Sequence, residues 1–121
     1  MTRLVRGMVM DVNPDPALGS ETGNVRPCII VTHDVYNEKV PIIQVVPLTE
    51  WTSKKARIRT NIPIQPSREN GLSKKSIADC LQTRPIHIRH GLLKIRGKLS
   101  PQEMKGVDLA LRVVLGIDAG S

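Results

Sequence analysis

Gly19-Ser20-Glu21-Thr22-Gly23-Asn24-Val25-Arg26-Pro27-Cys28-Ile29-Ile30-Val31 joins a polar, glycine-containing loop to an apolar run, with Arg26 and Pro27 at the junction. The apolar run reads as a buried, central strand. Pro27 holds its own φ and pushes Arg26 towards extended backbone. A permanently charged guanidinium is thereby held at the mouth of a buried strand, beside a loop. That is a suitable placement for phosphate recognition. Solvated arginines at strand starts are common, so the residue needs the rest of a site.

Outward from this junction the chain reads as short strands followed by one helix. Residues 5–12 form a first strand, and residues 13–24, with two prolines and two glycines, form a long loop. Residues 28–32, 42–47, 57–64, 75–81 and 86–89 are the further strand candidates, with a turn or helical excursion at 33–37 and a turn at Asn70-Gly71. Ser100, Pro101 and Glu103 form an N-cap, a first helical position and a capping box. Met104, Val107, Leu111, Val114 and Leu115 make one apolar stripe, and Gly116 is a C-terminal stop. The expectation is a mainly β domain over residues 1–121, a strongly bent sheet or small barrel with the helix packed on it.

The chain has 121 residues and a net charge of +7, unevenly spread. Residues 1–53 carry four Lys/Arg and six Asp/Glu, a balance of −2. Residues 54–98 carry twelve and two, or +10, and residues 99–121 carry two and three, or −1. The central segment therefore favours a polyanionic partner, nucleic acid first. Trp51 and Tyr36 are the only aromatics, which argues against binding by stacking on aromatic platforms. No apolar stretch reaches membrane-spanning length, so a cytoplasmic protein with no membrane partner is expected. Cys28 and Cys80 sit in apolar stretches and read as reduced core residues.

No phosphate-binding Walker loop, zinc-ligand spacing or nucleophile elbow is present, so neither a metal nor a cofactor is expected. His87 and His90 read as surface histidines in a positive field more readily than as a catalytic pair. Thr49 closes the apolar run Ile42-Ile43-Gln44-Val45-Val46-Pro47-Leu48. If that strand neighbours 28–32, Thr49 shares a rim with Arg26. Two readings of Thr49 stay open: a phosphate-holding hydroxyl, and an ordinary loop-start residue, which the pattern alone favours.

Four blocks in order carry a resemblance. They are Asn13-Pro14 with Gly19-Ser20-Glu21 and Arg26-Pro27, then Pro47-Leu48-Thr49. Gly71-Leu72-Ser73-Lys74-Lys75-Ser76 with Gln82-Thr83-Arg84 follows, then Leu99-Ser100-Pro101-Gln102-Glu103-Met104 through Gly116. Together they resemble the MazF/PemK family of toxin endoribonucleases over nearly the whole chain. The resemblance implies a small SH3-like barrel of the CcdB/PemK type, with short helices and a C-terminal helix. It implies metal-independent cleavage of single-stranded RNA, chiefly mRNA, by a homodimer that an acidic MazE-like antitoxin neutralises. The family's arginine and threonine fall on Arg26 and Thr49 as catalytic residues. RNA binding falls on Glu21, Ser20, Asn24, Gln82 and Arg84. Two departures stand out: Met8 to Met10 replaces an aromatic in the first strand, and Arg84-Pro85 replaces a more usual Arg-Thr pair. A gyrase-poisoning toxin of the same fold, or a catalytically silent RNA-binding paralogue, is the alternative. The absence of an aromatic in residues 115–121 counts against the gyrase reading.

Overall fold

The computed structural model describes residues 3–13 and 25–117. Seven strands form one antiparallel sheet: β1 (Met8–Val12), β2 (Arg26–Ile30), β3 (Ile42–Glu50), β4 (Asn61–Ile64), β5 (Ser76–Asp79), β6 (Arg84–His87) and β7 (Leu92–Lys98). Its order is β4-β5-β3-β2-β1-β7, with β6 also paired to β3. The four helices are α1 (Asp34–Lys39), α2 (Ser53–Ala56), α3 (Ile88–Gly91) and α4 (Pro101–Leu115). No helix among the described residues is long and apolar enough to cross a membrane.

The nine-residue β3 is the hub. One edge carries β2, in the register Cys28↔Pro47 to Ile30↔Val45. The other edge is divided between β6 at Ile42–Val45 and β5 at Leu48–Glu50. Alternation along the strands sends side chains to two cores. On one face Val9, Ile29, Val46, Leu48 and Ala78 pack with Met104, Val107 and Ala110 of α4. On the other, Met8, Met10, Val12, Cys28, Ile30, Ile43, Val45 and Ile86 form a second cluster, flanked by Leu4, Val5, Ile88 and Leu92.

Helix α4 follows the sequence. Ser100 Oγ accepts from Glu103 N, and Glu103 Oε1 accepts from Ser100 N at 2.8 Å. Gly116 stops the helix in the left-handed region at φ 65°. The apolar stripe differs at its end: Ala110 is buried, whereas Leu115 is exposed.

Several strand expectations need correction. The first strand starts at Met8, because Gly7 turns the chain at φ 96°. Residues 57–60 are not strand. Thr52 caps α2 by accepting from Lys55 N, and Arg57 closes that helix, so only Asn61–Ile64 joins the sheet. The third strand continues past Pro47 to Glu50, which puts Thr49 within a strand rather than at a loop start. Strand β7 was not anticipated. Its mixed basic and apolar sequence lacks clean alternation, and two register shifts against β1 break the period.

The sheet path is open between β4 and β7, so the barrel is closed by a loop rather than by a strand ladder. The connection from β4 to β5 lies against β7, where Lys98 N donates to Glu69 O at 2.8 Å and Arg96 Nε to Gly71 O at 3.2 Å. The two backbones also approach each other directly. A Cβ on Gly97 would sit 2.2 Å from Glu69 O, and one on Gly71 2.0 Å from Arg96 O. Inside the loop Asn70 is fully buried. Its Oδ1 accepts from Ser67 N and Leu72 N, both at 3.0 Å, and its Nδ2 donates to Gln65 O at 2.9 Å.

Both cysteines are buried and free. Burial pushes the Cys28 thiol from its ordinary 9 up to about 12, against the opposing pull of the Arg84 and Arg26 charges. Burial, helped by Asp79 and Asp108, likewise pushes Cys80 up to about 12.

Two predictions follow from the core and its closure. Replacing Asn70 with Ala strands buried backbone groups and costs about 3 kcal/mol. A lowered urea midpoint at unchanged m-value is the expected result, and an unchanged midpoint would refute the closure role. The thiols give a pH signature. Above pH 9 the unfolded chain loses thiol protons that the folded chain still holds. Their contribution to stability is therefore complete below pH 9 and falls as pH rises from 9 towards 12. Cys28→Ala/Cys80→Ala protein should show a shallower alkaline loss of urea stability than the parent chain. Iodoacetamide at pH 8 should leave both native thiols intact and label both after denaturation.

Candidate active site

The register of β2 and β3 relates the two candidate catalytic residues. Partners in that ladder step from Ile30↔Val45 to Cys28↔Pro47. The paired residues end there, with Arg26 and Thr49 each two residues further along its strand. Even-numbered β2 residues share the face of Cys28 and Ile30, and odd-numbered β3 residues share that of Val45. Arg26 and Thr49 thus occupy one face, at the solvent-exposed end of the second core. Arg26 is exposed and Thr49 half-buried.

Strand β6 adds a second guanidinium. Arg84 pairs with Val45 and shares its face. Both Arg84 and Arg26 are close enough to Cys28 to favour its thiolate electrostatically. Two arginines therefore flank the same buried thiol, and their charge lies on the surface above it. The neighbouring Thr83 is held by Gln44 Nε2 and by Val45 O, both at 3.0 Å, which fixes the start of β6. Gln82 is exposed at the end of a 3-10 turn, Cys80–Gln82, two residues before Arg84.

Lys55 is the contact that the sequence did not disclose. Its Nζ donates to Thr49 Oγ1 at 3.3 Å and to Glu50 O at 3.4 Å. Helix α2 turns the chain back, so a lysine six residues on reaches the strand it left. The legible signal was Thr52, an N-cap residue ahead of Ser53-Lys54-Lys55-Ala56.

Ser20, Glu21 and Asn24 lie outside the described residues. Asn13 and Val25, which bracket their loop, adjoin Val12 and Arg26, paired residues of β1 and β2. The loop therefore leaves and re-enters the sheet beside the Arg26–Thr49 rim. The histidine pair has a local role: His87 Nδ1 accepts from Arg89 N at 3.2 Å to cap α3, with the His90 ring 4.7 Å away by centroid.

The elements present a hydroxyl and several cations on one face, a combination that holds an anion and neutralises charge developing on it. Asp11 is kept from that face by the pleat and pairs with Arg96 at 3.3 Å.

The chain is 32% identical over 112 residues to the Endoribonuclease MazF of Staphylococcus saprophyticus subsp. saprophyticus, covering 93% of this chain and 91% of that protein. Its fold is similar to that of an endoribonuclease from a mycobacterial species solved with its cognate antitoxin (TM-score 0.74, 20% identity, covering 95% of this chain and 97% of that one). It is also similar to a chain of the MazE-MazF complex from Deinococcus radiodurans (TM-score 0.72, 17% identity, covering 98% and 100%). Residues 5–115 match the model for PemK-like, MazF-like toxins of type II toxin–antitoxin systems, and the chain belongs to that family.

Proposed function

We propose that the chain is an endoribonuclease toxin that cleaves single-stranded RNA, chiefly mRNA, at a short sequence and without a metal or cofactor. It acts in the cytoplasm as a homodimer and is neutralised by an acidic MazE-like antitoxin. The observation that carries this reading is the shared face of Arg26 and Thr49 in a member of this toxin family.

The chemistry uses the RNA's own 2′-hydroxyl. Its oxygen bonds to the adjacent phosphorus as the proton leaves, and the bond to the 5′-oxygen breaks with that oxygen taking up a proton. The products are a 2′,3′-cyclic phosphate and a 5′-hydroxyl. Arg26 stabilises the negative charge that builds on the phosphorane oxygens. Free guanidine is a poor base at neutral pH, so charge stabilisation is its main task. Thr49 donates its O–H to a non-bridging oxygen. Accepting from Lys55 Nζ at 3.3 Å directs that O–H away from the ammonium. Arg84 and Gln82 contact the RNA on the β6 side. Ser20, Glu21 and Asn24 read base edges from the loop, Glu21 as acceptor.

An acidic antitoxin segment would meet the same cations as the RNA, which makes neutralisation a competition for charge. The two alternatives have less support. The curated relative is named an endoribonuclease, and both candidate catalytic residues are intact in this chain.

Arg26→Ala should lower the rate of cleavage of a long RNA at least ~100-fold, with chelator present and the circular dichroism spectrum unchanged. Undiminished cleavage by this variant would remove Arg26 from the mechanism. Gyrase inhibition without cleavage by the unmodified protein would favour the gyrase-poisoning reading.

A further inference from the structure

The one tryptophan is left unused by this chemistry. Trp51 directly follows β3, and its N–H donates to Lys75 O at 3.4 Å. This bond extends the β3–β5 ladder one step beyond Glu50↔Ser76. Trp51 and Lys75 are thereby opposed across the ladder, on the face that carries Thr49 two residues earlier. Lys75 Nζ lies 4.1 Å from the indole centroid. Trp51 is half-buried, and Lys55 Nζ bonds to Thr49 Oγ1 and Glu50 O, of the two residues that precede it.

Two residues of strand span ~6.6 Å, comparable to one nucleotide step in an extended chain. A ring two residues from the candidate phosphate-binding hydroxyl, with one ammonium on its face and another on that hydroxyl, suits a stacked base and its flanking phosphates. We infer that Trp51 is a base-stacking platform for the nucleotide next to the scissile phosphate, with Lys75 orienting the ring and Lys55 meeting the backbone between them. The inference rests on the RNA-cleaving reading above. It qualifies the expectation drawn from scarce aromatics: a single platform suffices when it stands beside the reacting phosphate.

Trp51 is the chain's only tryptophan, so indole emission reports this ring alone. Short 2′-O-methyl oligoribonucleotides of mixed sequence lack the nucleophile and serve as an uncleaved probe. Titration should quench the emission saturably, and raised salt should weaken the effect. Trp51→Ala should weaken binding of a labelled oligonucleotide roughly tenfold or more, while Trp51→Phe retains most of the affinity. In cleavage of a long RNA, Trp51→Ala should raise KM more than it lowers kcat. Unchanged emission on oligonucleotide binding, with Trp51→Ala affinity equal to the parent's, overturns the platform. Arg26-dependent cleavage in that same protein would leave the enzyme reading standing. Failure of the unmodified protein to cleave RNA, with emission still quenched, would overturn the enzyme reading instead.

Discussion

Asn70 holds the molecule closed. The seven-stranded sheet has α4 on one face, and among the described residues no ladder joins its end strands β4 and β7. The loop between β4 and β5 fills that seam, and its shape is set by one buried side chain that hydrogen-bonds to residues 65, 67 and 72. Asn70 Nδ2 also reaches Glu103 Oε2 at 3.4 Å, the carboxylate that caps α4. Seam and helix start are therefore linked through one amide. Gly71 and Gly97 let the backbones touch, and the polar groups brought together are satisfied by bonds such as Lys98 N to Glu69 O. Closure costs no unpaired buried group at this point, which is why a loop can replace a strand ladder.

The site depends on a second constraint, the parity of the β2–β3 pairing. A slip of β2 by one residue would send Arg26 to the α4 face, the face of Val46 and Leu48, and turn Ile29 away from it. The observed register is enforced from both sides. Cys28 and Ile30 belong to one core, while Ile29 belongs to the other. The apolar residues that fix the strand thus also fix the charge at its end. Arg26 owes its position to the four residues after it.

Much of this was legible in the sequence, for physical reasons. Helix α4 could be read because its signals are local: a capping box, a proline at the start, a 3.6-residue stripe and a glycine stop. The β2 core strand could be read because continuous apolar residues leave few other options. The junction at Arg26-Pro27 marked the candidate site because charge and constraint coincide there. What failed was non-local. Strand β7 is set by bulges against β1, which no periodicity in its own residues reveals. Residues 57–60 carry isoleucine and basic residues that suit a strand, yet Thr52 starts α2 just upstream and the chain is still turning when it reaches them. The Lys55–Thr49 bond required knowing that this helix folds back on β3. The shared face of Arg26 and Thr49 was conditional on strands two and three being neighbours, a fact that belongs to the sheet.

The same pairing that builds the sheet also spaces the cations. Arg26 is at the start of β2, Arg84 at the start of β6, Lys75 opposite Trp51 and Lys55 on the helix after β3. Arg26 and Arg84 both act on Cys28, Lys55 bonds to Thr49 and Lys75 covers Trp51, each cation held by backbone pairing or by a local helix. Like charges set close together repel, and the repulsion is relieved when a polyanion lies across them. The sheet bears this cost because the charges sit at strand ends, over a core that apolar residues from β1, β2, β3 and β6 have already stabilised. The arrangement is preorganised: cations stay in place without the RNA, so the reacting phosphate meets them with little reorganisation. An acidic antitoxin segment that met the same cations would make affinity for substrate and susceptibility to neutralisation two outcomes of one electrostatic surface, and removing charge would then weaken both.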